Sequence, residues 1–460
     1  MRYVSTRGEA PELGFAEVML AGLARDGGLY VPVSWPAFTR GELEAMQGKC
    51  YADIAFAVMS PFMNDAIPER ELKRMIAEAY SGFDHPAVAP LRQLDSNLWL
   101  LELFHGPTLA FKDVAMQLLA RLMDWALARR GAHATIIGAT SGDTGAAAIE
   151  AFKSNRQARI FILHPKDRVS EVQRRQMTTI VSPNIHNLAI EGTFDDCQAI
   201  VKALFNDAPF RERVSLAGIN SINWARILAQ SVYYVTSALA LGAPARGVSF
   251  TVPTGNFGDI YAGFVAKRLG LPIDRLVIAT NENDILDRAL RSGCYELRPV
   301  RPTASPSMDI QVSSNFERLL FDAGGRDPAD VRGAMNALAQ SGAFTIPGRV
   351  LETIRAEFDS GTASEAETAA TIASQFAATA DLVDPHTAVG LAVARKHLDG
   401  APMIALATAH PGKFPDPVEK ASGSRPGLPP RLSRLMMAAE KMTVLPGDAS
   451  TVKNFILDKE

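Results

Sequence analysis

The run His105-Gly106-Pro107-Thr108-Leu109-Ala110-Phe111-Lys112-Asp113 puts a lysine just behind a Gly-Pro-Thr turn. Thr108 is the type of residue that caps a helix through its hydroxyl. Leu109, Phe111, Ala115, Met116, Leu118, Leu119, Leu122 and Met123 then recur at helical spacing. The expected helix leaves Lys112 near the positive end of its dipole, which disfavours the ammonium form. A lysine of lowered pKa supplies the neutral amine that Schiff-base formation requires. The same run also fits a solvated lysine at a helix start, so its companions must decide.

Three turns are candidates for that company. Gly255-Asn256-Phe257-Gly258-Asp259 joins the apolar run Val248 to Val252 to an expected helix from Asp259 to about Leu269. Such a junction offers free backbone N–H groups and a helix N-terminus to an anion, and its glycines allow close approach. It also fits a plain strand–helix turn. It is neither a phosphate-binding loop of the Gly-Lys-Ser/Thr kind nor a dinucleotide fingerprint. Ala139-Thr140-Ser141-Gly142-Asp143-Thr144-Gly145 has the same setting, with hydroxyls that suit a carboxylate. Asp143 would repel an anion there, so it is expected to face a donor or simply to cap the helix. Thr408-Ala409-His410-Pro411-Gly412-Lys413 follows a third apolar strand. Thr408 could present its hydroxyl to a ring nitrogen, and His410 and Lys413 could meet a second anion.

The elements around these turns repeat one theme from about Leu100 to His410: short apolar run, polar or glycine-rich turn, amphipathic helix. The strands expected are Ala134 to Gly138, Arg159 to Leu163, Val248 to Val252, Leu276 to Ala279 and Pro402 to Ala407. The alternation predicts an α/β fold with a mainly parallel sheet, and ligands in such sheets sit at the carboxyl ends of strands. The first 95 or so residues read instead as helices over Phe15–Arg25, Arg40–Lys49, Tyr51–Met63 and Pro68–Tyr80. Asp327 to Ser374 is also expected to be helical.

Composition narrows the classes. The chain has 460 residues, 47% of them hydrophobic, enough for more than one domain with a substantial core. A net charge of −3 argues against nucleic acid as partner. Three scattered cysteines and eight histidines without an HExxH pair argue against a disulfide framework and against a metal site. No apolar run approaches membrane-helix length and the start lacks a signal-like apolar stretch, so a cytoplasmic protein is expected.

Taken together, these motifs closely resemble threonine synthase, a pyridoxal-phosphate enzyme family of fold type II (tryptophan synthase β-like). The resemblance runs from Tyr3-Val-Ser-Thr-Arg-Gly8 to about Ala421. It includes Asp26-Gly-Gly-Leu-Tyr-Val-Pro32, Asn220-Ser-Ile-Asn-Trp-Ala-Arg226, Ser307-Met-Asp309 and the turns above. It implies the longer form of the family: two parallel-sheet α/β domains plus an N-terminal helical domain. The expected boundaries are 1–95 for the helical domain, 96–130 with 219–460 for the large cofactor domain, and 131–218 for a small mobile domain.

Residue roles implied by the resemblance are as follows. Lys112 is the catalytic lysine, linked to pyridoxal 5'-phosphate and then acting as proton shuttle. Gly255, Asn256, Phe257, Gly258 and Asp259 hold the cofactor phosphate, and Thr408 faces the pyridine nitrogen. Asp143 lies beside the cofactor. Ser141, Gly142 and Thr144 hold the substrate carboxylate. The implied substrate, O-phospho-L-homoserine, brings a second phosphate. Its candidate partners are Ser221, Asn223 and Arg226, with Lys166, Arg168 and Lys413 behind them; Arg226 could equally pair with a carboxylate. The implied reaction gives L-threonine and phosphate by γ-elimination and β-addition of water, the last step of threonine biosynthesis, in a monomer. The alternative is a pyridoxal-phosphate-dependent phospho-lyase releasing a 2-oxo acid and ammonia.

Overall fold

The apolar runs form two separate sheets rather than one. The computed structural model describes residues 1–63 and 66–459. In the larger sheet the strand order is Phe358–Thr362, Ile273–Thr280, Val248–Pro253, Met403–Ala407, Leu98–Glu102, Leu91–Gln93. All of its pairs are parallel except the last, where Leu91–Gln93 runs antiparallel at the edge. The two central strands Val248–Pro253 and Met403–Ala407 are buried at every position. Strands covered on both faces need unbroken apolar runs, which is why these two stand out in the sequence.

The second sheet is fully parallel, in the order Thr443–Pro446, Ile185–Glu191, Ala158–Pro165, Ala134–Ala139, Leu216–Ala217. Its outermost member corrects the expected domain boundary. Thr443–Pro446 pairs with Ile185–Glu191, and the helix Ala449–Leu457 buries Val452 and Ile456 against Cys197, Ile200 and Leu204. The chain therefore returns to the small body after residue 442 and does not end in the large one.

Two further expectations change. The N-terminal region has helices Phe15–Ala21, Arg40–Glu44, Tyr51–Met63 and Glu69–Tyr80, but also a three-stranded antiparallel sheet of Arg2–Ser5, Leu13–Gly14 and Tyr30–Pro32. The first helix stops early at Gly22, whose φ of 66° no longer continues the helix. Asp26 explains the Asp-Gly-Gly motif: its carboxylate accepts bonds from Ser5 Oγ and from the amides of Glu9, Ala10 and Gly28. The helical stretch after Asp327 is interrupted by Phe358–Thr362, which completes the edge of the large sheet. That strand is short and half-exposed, so its apolar pattern is weak.

Tyr3 locks the N-terminal region into the main core. Its hydroxyl donates to Phe62 O at 2.7 Å and accepts from Trp224 Nε1 at 3.2 Å. Helix Lys112–Arg130 crosses this core with thirteen of its nineteen residues buried, so its first residue is fixed by packing along the whole length.

Candidate active site

Three adjacent strands of the large sheet end at the site. The glycine turn follows Val248–Pro253, Thr408 follows Met403–Ala407, and the lysine turn follows Leu98–Glu102. Their neighbouring order brings together segments far apart in the chain. The link is direct: Phe111 N donates to Thr408 O at 2.9 Å, and Ala110 bridges Ala409.

Lys112 is the first helical residue, and its cap residue Phe111 has no side-chain cap bond. Thr108 does not cap as expected. Its hydroxyl donates to Asp113 Oδ1 at 2.7 Å and its amide to Asp113 Oδ2 at 2.8 Å. Leu109, at φ 63°, turns the chain between the two, so the carboxylate of the first turn reaches back to the threonine instead. The Lys112 amine is buried and donates to Asp143 Oδ2 at 3.3 Å. Burial pushes its pKa down; Asp143 pulls it up, and Lys413 and Arg226 push it down again. Desolvation rather than the helix dipole is thus the leading cause.

Asp143 answers the question its position posed. It faces cations: Lys413 Nζ lies 2.8 Å from its Oδ1, and Gln173 Nε2 donates to the same oxygen at 2.7 Å. Burial pushes its pKa up, but the two lysines and these hydrogen bonds outweigh burial and hold the carboxylate far below its usual range. Gln173 was not foreseen. Ser170 accepts from Gln173 N at 3.3 Å and donates to Gln173 Oε1 at 2.9 Å, which leaves Nε2 to reach Asp143.

The turn before Asp143 is organised by Thr140, whose hydroxyl accepts from Gly142 N at 3.0 Å and Gly145 N at 2.9 Å. Gly142 sits at φ 141°, and a Cβ there would meet Gln173 Cδ at 2.4 Å. Ser141 and Thr144 remain half-exposed with their hydroxyls available.

The glycine turn forms a cup. Ser313 Oγ donates to Gly255 O at 2.6 Å, and Asn315 donates to Asn256 O through Nδ2 at 2.9 Å and N at 3.1 Å. With the carbonyls tied back and Phe257 at φ 62°, the amides of Gly255 to Asp259 find no protein acceptor among the described residues. Gly255 lies so close to Ser307 that a Cβ would come within 2.8 Å of Ser307 O. Ser307 and Met308 therefore back the cup, and the neighbouring Asp309 is held by Asn281, Asn283 and Thr303. Asp259, the second residue of helix Gly258–Arg268, accepts from Tyr233 and Tyr234. Burial lifts its carboxyl to about 6. Neither tyrosine nor Ser313 or Asn315 carried a local signal: the tyrosines arrive from helix Trp224–Ala240, and Ser313 and Asn315 from the loop that leads into helix Phe316–Ala323.

The second-phosphate candidates separate. Arg226 is buried, donates only to Ile219 O at 3.1 Å, and leaves Nε unpartnered; among the described residues no carboxylate pairs with it. Burial lowers its pKa to about 10. Ser221 stands beside the cup, its carbonyl accepting from Asn315 Nδ2 at 3.3 Å. Asn223 is consumed by structure, capping its helix at Ala225 N and donating to Met19 O at 2.8 Å. Lys166 pairs with Glu191 and Arg168 is exposed, so neither joins the site. Lys413 is committed to Asp143 and to Thr108 O at 2.7 Å. His410 is a turn residue whose Nδ1 accepts from Gly412 N, kept at about 4 by burial.

Family models match the chain in three stretches: threonine synthase N terminus over residues 2–80, pyridoxal-phosphate dependent enzyme over 84–408, and threonine synthase C-terminal over 387–456. Threonine synthase of Pseudomonas aeruginosa is 53% identical over 459 residues, covering 99% of this chain and 98% of that one. This chain belongs to the threonine synthase family. The crystal structure of pyridoxal-phosphate-bound threonine synthase from Brucella melitensis superimposes with a TM-score of 0.98 at 60% identity, over 100% of this chain and 99% of that one. The yeast threonine synthase structure does so with a TM-score of 0.94 at 40% identity, over 100% and 98%. The fold is that of the type II pyridoxal-phosphate enzymes, and the chain is a lyase dependent on that cofactor.

The residues present fit pyridoxal phosphate. The cup of unpaired amides suits its phosphate, the buried Lys112 amine suits its aldehyde, and the Thr408 hydroxyl suits its ring nitrogen. Among the described residues no cluster of His, Cys, Asp and Glu could hold a metal ion, and no helix is long and apolar enough to cross a membrane.

Proposed function

We propose that this chain converts O-phospho-L-homoserine and water to L-threonine and phosphate, with Lys112 as the cofactor-linked base. The supporting observation is a buried amine served by two anion-receiving groups, the amide cup at Gly255 to Asp259 and the carboxylate-free Arg226. Two phosphates, one on the cofactor and one on the substrate, account for both.

The residues divide the work. The cup and Lys112 hold the cofactor at its two ends. Bound there, pyridoxal phosphate supplies an electron sink for the charge left when a proton leaves carbon. Ser141 and Thr144, with the amides of Asp143 and Thr144 at the start of helix Asp143–Phe152, hold the substrate carboxylate. Arg226 holds the substrate phosphate and stays near the departing oxygen. Lys112, whose amine burial pushes toward the neutral form, takes the Cα proton and carries protons onward. Thr408 would offer the ring nitrogen a neutral hydroxyl, which would leave the ring less electron-withdrawing than an acid partner would. The reading includes a cytoplasmic location, supported by three scattered cysteines, and a monomer, which the family resemblance implies.

Lys112→Ala tests this directly. Wild type should show the visible band of a lysine-linked cofactor and release threonine and phosphate in equal amounts. The variant should lose the band and lose turnover by about 1,000-fold or more. Release of 2-oxobutyrate and ammonia by wild type would replace this reading with the phospho-lyase.

A further inference from the structure

Two lysines meet one buried carboxylate at this site, and they are not equivalent. Lys413 is fully buried, yet its ammonium has two good acceptors: Asp143 Oδ1 at 2.8 Å and Thr108 O at 2.7 Å. Lys112 has Asp143 Oδ2 alone, at 3.3 Å, with the Phe111 ring at 4.8 Å. A buried ammonium is stable only where its protons are taken up by acceptors. By that criterion the charge belongs on Lys413, and Lys112 is the lysine that gives up its proton.

We propose that Lys413 is a positioning residue for the Lys112 amine. Its ammonium is the standing partner of Asp143, so the carboxylate stays ionised without holding Lys112 as its only cation. The groups facing Lys112 bear this out: Asp143 and Asp259 are the anions, and Lys413 and Arg226 the cations. Removing Lys413 takes away a neighbouring cation and frees Asp143 for Lys112; both changes favour the ammonium on Lys112. Gln173, donating to Asp143 Oδ1 at 2.7 Å, and Gln176, donating to Thr108 O at 3.0 Å, hold the acceptors in place. This assignment rests on Lys112 being the cofactor-linked amine.

The test is the rate at which full-length, cofactor-stripped protein captures added pyridoxal phosphate, followed by visible absorbance across neutral to alkaline pH. Lys413→Gln keeps a hydrogen-bond donor but no charge. It should move the pH midpoint of capture up by about one unit, making capture about tenfold slower below the midpoint. Lys413→Arg should stay near wild type. The double variant Asp143→Asn with Lys413→Gln, which leaves neither member of the pair charged, should return the midpoint to wild type or below. That variant also serves if the single one does not fold. An unmoved midpoint in Lys413→Gln, or a double variant raised above wild type, overturns the proposal. A raised KM with an unmoved midpoint also overturns it and makes Lys413 a substrate ligand. Failure of wild type to form the lysine-linked band would instead strike the assignment of Lys112 itself.

Discussion

At the scale of single residues, burial decides what each charged group can do. Arg226 is a guanidinium without a carboxylate among the described residues, in a position where an unpaired charge is costly. Arg226→Gln should raise KM for the phosphorylated substrate about thirtyfold, the loss expected for one charge-assisted bond of about 2 kcal/mol. The cofactor absorbance should not change, and an unchanged KM would remove Arg226 from the substrate site. Asp259 makes a pH prediction. Its carboxyl is lifted by burial from the usual 3.8 to about 6, against the pull of Tyr233 and Tyr234. The folded protein binds this proton more tightly than the unfolded chain, so stability present below 3.8 is lost as pH rises through about 6. In cofactor-free protein, Asp259→Asn should gain on wild type across that window by on the order of 2–3 kcal/mol. A difference in denaturation midpoint that stays flat with pH would contradict this.

At the scale of elements, sheet order does the assembling. The lysine turn, Thr408 and the glycine turn lie far apart in sequence and side by side in the sheet, because Leu98–Glu102, Met403–Ala407 and Val248–Pro253 are consecutive neighbours. Each turn has a local signature, so all three were legible in the sequence. Their backing was not. Ser313 and Asn315 pull the cup's carbonyls back, and Ser307 closes on Gly255 from another segment. Gly255→Ala should therefore push the cup away from Ser307 and misalign its amides. Titration of the stripped protein with pyridoxal phosphate should show affinity reduced by about tenfold or more, from two weakened charge-assisted bonds. Wild-type affinity would mean that the cup tolerates the shift.

At the scale of the whole molecule, the small sheet is finished by the chain's last helix and strand. Ile456 is 1% exposed in a core distinct from the one that carries Lys112. Ile456→Ala should cost about 3 kcal/mol in that body and lower its thermal unfolding midpoint. Cofactor binding, carried mainly by the large sheet, should persist below that temperature; joint loss of both would show a single cooperative unit. The α/β alternation and the three turns were readable from residue order, because each rests on a short run whose spacing and turn chemistry are local; the cofactor class was readable only from the resemblance that those runs carry together. Arg226 was readable only as one candidate among six. What tertiary structure alone decided is which polar and charged groups meet: Asp143 with Lys413, Asn223 with its own helix, Lys166 with Glu191, and Arg226 with no carboxylate among the described residues. Pairing of buried charges depends on distance and desolvation in three dimensions, and sequence spacing carries neither.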